Sequence, residues 1–96
     1  MDALVAAPEM TTVVMENDRV RVLDVKFKPG QKTIMHGHPD HVIYVLKDSK
    51  IKMTLPSGSS NEVSLKAGQA IWMNAGQHAV ENLGKGEVHN LVIEIK

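Results

Sequence analysis

The chain contains no cysteine, which excludes disulfide bridges and thiolate metal ligands. Aromatic residues are also scarce, namely Phe27, Tyr44 and Trp72, so aliphatic side chains and six methionines must fill most of the core. No charge of either sign is in excess, because 11 Lys and Arg offset 11 Asp and Glu. Nucleic-acid and anionic-membrane partners usually require a basic patch, so we expect neither.

Long apolar runs are absent as well. The uncharged stretch Ala3–Pro8 is far too short to span a bilayer. It follows Asp2 rather than a basic region, so it does not have the pattern of a secretion signal. We therefore expect a cytoplasmic protein whose partners are small molecules rather than membranes.

Turn-forming residues divide the 96 residues into short segments rich in β-branched and other apolar side chains. Many short strands at this spacing are typical of an antiparallel sandwich or small barrel. We expect residues 1–11 to form an arm or an edge strand and residues 12–96 to form one all-β domain. The predicted strands are Thr12–Met15, Arg19–Phe27, Thr33–His36, His41–Leu46, Lys50–Leu55, Glu62–Leu65, Ala70–Met73, His78–Asn82 and Val88–Ile95.

Histidines are the residues that point to chemistry. His36 and His38 alternate, so in an extended strand both imidazoles lie on one face, as a bidentate grip on a metal requires. His78 lies far downstream in another segment bounded by turns. Imidazole suits Zn, Fe, Cu, Ni and Co rather than Ca or Mg. The alternative interpretation is that these histidines are surface residues of turns.

The spacing of residues around these histidines resembles two motifs of the cupin superfamily. The first motif has glycine, five residues and His-x-His, followed by glutamate and a second glycine. The second motif has glycine, five residues and Pro-x-Gly, followed by histidine and asparagine. The resemblance covers about residues 20–95, and the matching residues are Gly30, His36 and His38 in the first motif and Gly68, Gly76, His78 and Asn82 in the second.

The chain also departs from these motifs. His41 takes the place of the glutamate, one residue early, and Asp48 takes the place of the closing glycine. In the second motif Asn74 replaces proline, and one residue is missing between Gly76 and His78. Loss of the glutamate leaves a set of histidines without a carboxylate ligand.

The resemblance implies a single-domain antiparallel jelly-roll barrel that holds a divalent transition metal through His36, His38 and His78. Cupins with three histidines and no glutamate include dioxygenases that hold ferrous iron, so Fe(II) is favoured over Zn, Ni, Cu, Mn or Co. This implies a non-haem dioxygenase acting on a small chelating substrate such as a diketone or an oxo acid. The alternatives are a non-catalytic module that binds a metal or small ligand, and a metal-assisted isomerase or lyase. No catalytic side chain is identified.

Two further histidines have roles that the sequence leaves open. His41 precedes Ile43 and Val45 in alternation, so it begins a row that we expect to face inward. It is a candidate fourth ligand, a residue behind the ligands or a surface residue. His89 shares a face with the apolar residues of the last strand, and we expect a core or rim residue rather than a ligand.

The resemblance also implies a homodimer formed by packing of sheets. Residues 3–15 are the segment that we expect to be exchanged across such an interface. A small barrel with exposed edge strands gains stability when those edges are covered.

Overall fold

A computed structural model describes residues 2–96, which form one short helix and nine strands. The helix, α1, is the four-residue segment Ala3–Ala6. The strands are β1 (Thr11–Glu16), β2 (Val20–Phe27), β3 (His36–His38), β4 (His41–Val45), β5 (Ser49–Thr54), β6 (Ser60–Leu65), β7 (Ala70–Met73), β8 (Gly76–Asn82) and β9 (Val88–Ile95).

The strands form two sheets that enclose the core. One sheet has the order β1-β2-β9-β4-β7, and the other has the order β3-β8-β5-β6. Every pair of neighbouring strands is antiparallel. The fold is therefore the all-β, antiparallel jelly-roll barrel that the sequence predicts.

Alternation decides which residues of each strand enter the core. In β4, His41 and Val45 are buried and Tyr44 is exposed, so the row that begins at His41 faces inward as predicted. The main core joins both sheets through Phe27, Val45, Ile51, Leu65 and Val88. Each such side chain contributes about 1.5–3 kcal/mol by leaving water.

Most strands match their predicted ranges to within one or two residues at each end, but one lies almost entirely outside its range. The segment Thr33–His36 was predicted as a strand, whereas β3 begins at His36 and ends at His38. Ile34 is 56% exposed, and Thr33 reaches β8 only through separate hydrogen bonds with Val80. The β-branched residues suggested a strand, but the regular ladder begins only where the histidines pair with β8.

The last strand turns its apolar row outward. Leu91, Ile93 and Ile95 are partly or fully exposed, while Asn90 and Glu94 are buried. The face that carries His89 is therefore the outer surface of the sheet and not the core. Apolar periodicity alone did not distinguish the two faces of β9.

The N-terminal segment closes one side of the barrel. Ala3 and Ala7 are buried, and Asp2 caps α1 by accepting a hydrogen bond from the backbone N–H of Leu4. An isolated bridge joins Asp2 to Gly37 in β3. The domain boundary after residue 11 stays a prediction. Across residues 2–96 no helix has the length and hydropathy required to cross a membrane.

Candidate metal centre

Two neighbouring strands bring three histidines to one face. His36 in β3 lies directly opposite His78 in β8 in the antiparallel register. His38 follows two residues after His36 and points the same way.

Gly30 and Gly68, the first glycines of the two motifs, have φ values of 82° and 88°. This left-handed conformation favours glycine, which explains its presence in the turns ahead of both histidine segments.

The three imidazoles converge inside the barrel. One ligand nitrogen from each of His36, His38 and His78 lies within 4.8 Å of the others. The ring centres of His36 and His78 are 4.7 Å apart, and those of His38 and His78 are 5.2 Å apart. All three side chains are almost completely withdrawn from solvent. The structure thus assembles the set that the two motifs predict.

His41 approaches these histidines from the opposite sheet. It is 2% exposed, and its ring centre lies 4.6 Å from that of His38 and 6.3 Å from that of His78. It is therefore not a surface residue. The group whose nitrogens all lie within 4.8 Å contains only His36, His38 and His78, so His41 lies beside that group rather than in it.

Hydrogen bonds determine which imidazole nitrogens carry protons. The Nδ1 atoms of His36 and His41 lie 2.9 Å and 2.8 Å from the carbonyl oxygens of Ile34 and Pro39. A carbonyl oxygen only accepts, so each Nδ1 carries the proton and donates it. In the neutral imidazole the lone pair is then on Nε2. The same holds for His38, whose Nδ1 donates to the carboxylate of Glu94 at 2.5 Å.

Burial keeps His38 and His78 neutral. Burial, together with repulsion from the three neighbouring imidazoles, lowers the pKa of His78 to about 3. Burial also lowers the pKa of His38, although its hydrogen bond to Glu94 opposes this change. Both imidazoles are therefore uncharged at pH 7. A metal binds the deprotonated form of its ligands, so these histidines fit a metal without first losing a proton.

A chain of charged groups lies behind His38, and the sequence interpretation missed it. Glu94 in β9 accepts from His38 through Oε2 and from Arg21 Nε through Oε1 at 2.7 Å. The guanidinium of Arg21 also donates to Asp2. Its hydrogen bond to Asp2 raises the pKa of Arg21 further above its usual value, although burial opposes this. The one sequence signal was the polar row of β9, whose inward direction was not apparent.

An apolar cavity of about 70 Å³ lies beside the histidines. Its walls include Phe27, Ile43 and Leu65, and Asn90 is a polar residue among them. The Asn90 Oδ1 and His41 Nε2 atoms are buried and have no hydrogen-bond partner among residues 2–96. An unpaired buried polar atom costs about 1–3 kcal/mol, so both atoms are suited to contact a bound group.

Asn82 and His89, the remaining two candidate residues, form hydrogen bonds away from the three converging histidines. Asn82, which matches the second motif, donates to the carbonyl oxygens of Phe27 and Gly86 and accepts from the Gly84 N–H. It therefore fixes the loop after β8. His89 is a rim residue on the outer face, where its Nε2 lies 3.0 Å from an oxygen of Asp24.

Comparison with known proteins agrees with this architecture. The chain is 37% identical over 87 residues to the beta-alanine degradation protein BauB of Pseudomonas aeruginosa, a match that covers 88% of this chain and 90% of that protein. A cupin domain from Bordetella pertussis has a TM-score of 0.85 and 31% identity, with 91% of this chain and 92% of that chain covered.

A more distant structure shows the fold alone. The Klebsiella pneumoniae protein with a double-stranded β-helix domain has a TM-score of 0.73 at 24% identity, and the match covers 90% of this chain and 75% of that one. No family model matches the chain. The sequence and structural relatives, together with the paired histidine motifs, lead to one conclusion: this chain belongs to the cupin superfamily.

Proposed function

We propose that this protein binds a divalent transition metal through His36, His38 and His78, with His41 beside them as the candidate fourth ligand. The observation that supports the proposal most directly is the convergence of three nitrogens within 4.8 Å in a buried site. Hydrogen bonds keep the proton of His36, His38 and His41 on Nδ1, which leaves the Nε2 lone pairs available. Imidazole ligands suit iron, zinc, nickel, copper and cobalt.

We further propose an oxidoreductase of the dioxygenase type, with ferrous iron as the favoured metal. Iron held there would supply a Lewis acid and a redox-active centre for dioxygen chemistry. The four histidines carry no negative charge, so a substrate with anionic or chelating oxygens would complement them. The apolar cavity walls exclude water from the reaction, while the free Oδ1 of Asn90 accepts a hydrogen bond from the substrate.

The name of one relative narrows the substrates to be tested. The Pseudomonas aeruginosa relative is described as a beta-alanine degradation protein. Replacing the amine of β-alanine with an oxo group gives 3-oxopropanoate, a small oxo acid with two groups that can chelate a metal. This compound belongs to the proposed substrate class and is suited to a first assay, together with a simple β-diketone.

A non-catalytic module for a metal or small ligand is the second candidate. The observation that favours it is the buried Nε2 of His41, which has no partner within residues 2–96 and whose lone pair lies near the other histidines. A fourth imidazole would occupy a position that a substrate oxygen otherwise takes.

Azide titration and oxygen uptake distinguish the two candidates. The protein is loaded with Fe(II) under anaerobic conditions and titrated with azide, which binds only where a coordination position is open. We expect azide to bind, and oxygen to be consumed when 3-oxopropanoate or a β-diketone is added. A His36→Ala/His78→Ala variant, treated in the same way, controls for free iron. Azide binding without oxygen uptake rejects the dioxygenase proposal for these substrates, and refusal of azide supports the non-catalytic module.

A further inference from the structure

We propose that Glu94 is a positioning residue of the metal centre and supplies, from a different strand, the carboxylate that the first motif lacks. The inference rests on the proposed metal site. Glu94 acts through His38 rather than as a ligand, because its Oε2 accepts a hydrogen bond from the Nδ1–H of His38. Its role is to hold His38 with the Nε2 lone pair directed toward the other histidines.

The register of the five-stranded sheet places Glu94 beside the altered motif position. His41 stands where the motif has glutamate, and His41 pairs with Glu94 across β4 and β9. Both residues lie on the inner face and are only 2% exposed. The Glu94 carboxylate therefore lies beside the position where the motif has glutamate, but on the adjacent strand, β9.

Glu94 is held by donors on both oxygens. Oε1 accepts from Arg21 Nε at 2.7 Å, and Oε2 accepts from His38 Nδ1 at 2.5 Å. Arg21 is fixed in turn by Asp2, whose carboxylate also caps α1. With both oxygens engaged, the carboxylate cannot rotate away from His38 without losing an ionic hydrogen bond in a buried site.

The consequence for a metal is both geometric and electronic. A carboxylate that accepts the second ring proton of a histidine ligand fixes its tautomer and raises the basicity of the ligating nitrogen. It also brings a negative charge close to the cluster of imidazoles without occupying a coordination position. Loss of such a partner typically weakens metal binding by about 10–100-fold.

The test compares the Glu94→Gln variant with a matched variant of the carboxylate that pairs with a histidine on the outer face. Glutamine has similar size, but its carbonyl oxygen can accept from only one of His38 and Arg21, so its NH₂ group faces the other. When the NH₂ group faces His38, the imidazole must accept at Nδ1 and carry its proton on Nε2, where it blocks a metal. Asp24→Asn is the control, because Asp24 pairs with His89 on the outer face of β9.

Two readouts are measured, with zinc as the probe. Competition with a chromophoric chelator gives the Zn²⁺ affinity, and ¹⁵N NMR of labelled imidazoles gives the His38 tautomer in the metal-free protein. We expect Glu94→Gln to weaken zinc binding by about 10–100-fold and to shift the His38 proton toward Nε2. Asp24→Asn should change neither. Arg21→Gln, which retains the His38–Glu94 pair, should weaken zinc binding less than Glu94→Gln does.

The outcomes separate this inference from the proposed function. If the wild-type protein binds zinc and Glu94→Gln binds it equally well, Glu94 is only part of a structural ion pair and the inference is wrong. If the wild-type protein binds no zinc, iron or cobalt, the proposed function is wrong. The tautomer measurement then still decides whether Glu94 holds the proton on Nδ1, and an Nε2–H tautomer in the wild-type protein overturns the inference.

Discussion

Strand β9 contributes to two histidine–carboxylate pairs, one on its inner face and one on its outer face. On the inner face, His38 pairs with Glu94 and both side chains are at most 5% exposed. On the outer face, His89 pairs with Asp24 and the side chains are 22% and 29% exposed. The inner histidine donates through Nδ1 and keeps Nε2 free near three other imidazoles, whereas the outer histidine uses Nε2 for the carboxylate itself.

The difference shows that a histidine–carboxylate pair alone does not create a candidate metal site. A partly exposed pair such as His89–Asp24 contributes about 1 kcal/mol or less and has no other imidazole beside it in the described chain. The buried pair contains the same groups, but the barrel adds neighbouring imidazoles and excludes water. Substitutions on the inner face should therefore affect metal binding, whereas substitutions on the outer face should not.

The largest expected effect follows removal of the inner histidines. His36→Ala/His78→Ala should weaken Zn²⁺ binding by more than about 100-fold, because it deletes two of the converging nitrogens. His89→Ala, on the outer face, should retain the wild-type affinity. Isothermal titration of the metal-free proteins with zinc measures both. Equal loss in the two variants would contradict the distinction between the faces.

The pH dependence of stability should report on the burial of His78 on the inner face. Burial lowers the pKa of His78 to about 3 in the folded state, whereas an unfolded histidine has its usual value near 6.5. Between these values the unfolded state binds the extra proton, so stability is lost as the pH falls below about 6.5. The slope is about 1.4 kcal/mol per pH unit for each proton.

Urea unfolding of the metal-free protein between pH 7 and pH 5 measures this effect while most carboxylates remain ionised. His78→Gln should flatten the profile because it removes one titrating group. A pH-independent free energy of unfolding in the wild-type protein would contradict a lowered pKa of His78 in the folded state.

The outer face should control association rather than metal binding. The register aligns Met15, Val22, Ile93, Val42 and Trp72 in one row across all five strands. Met15 and Trp72 are 46% and 55% exposed, and an apolar row of this kind is typical of an interaction surface. We propose that this face forms the expected homodimer.

Trp72→Glu should therefore weaken dimerisation by about 30-fold or more, since a tryptophan packed in an interface commonly contributes at least 2 kcal/mol. Leu55→Glu is the control, because Leu55 is 41% exposed but lies outside the row. Sedimentation equilibrium measures the dissociation constants. A Trp72→Glu protein that remains a dimer would favour exchange of residues 3–15 instead, and a monomeric wild-type protein would contradict both.

The smallest expected effect concerns His41. Replacement with leucine removes the unpaired buried Nε2 but also the Nδ1 hydrogen bond to Pro39, so the stability of the metal-free protein should change by no more than about 1 kcal/mol. The same change should weaken zinc binding by about tenfold if His41 is a ligand. Urea unfolding and zinc titration of His41→Leu measure the two changes. Unaltered zinc affinity would remove His41 from the ligand set.

Most of the fold could be predicted from the sequence because turn residues and strand alternation are local signals. His36 and His38 are two residues apart in one strand, so their shared face was also predictable. Glu94 was not, since its position depends on the pairing of β4 with β9, which are far apart in the chain. The outward direction of Ile93 depends likewise on which face of β9 meets the other sheet.

The central claim is that the inner face binds a metal, and metal content tests it most directly. The protein is purified without chelator and examined by elemental analysis, and the metal-free form is then titrated with Zn²⁺. We predict one metal ion per chain, with affinity that depends on His36 and His78. A protein that is isolated without metal and takes up no zinc, iron or cobalt would contradict it.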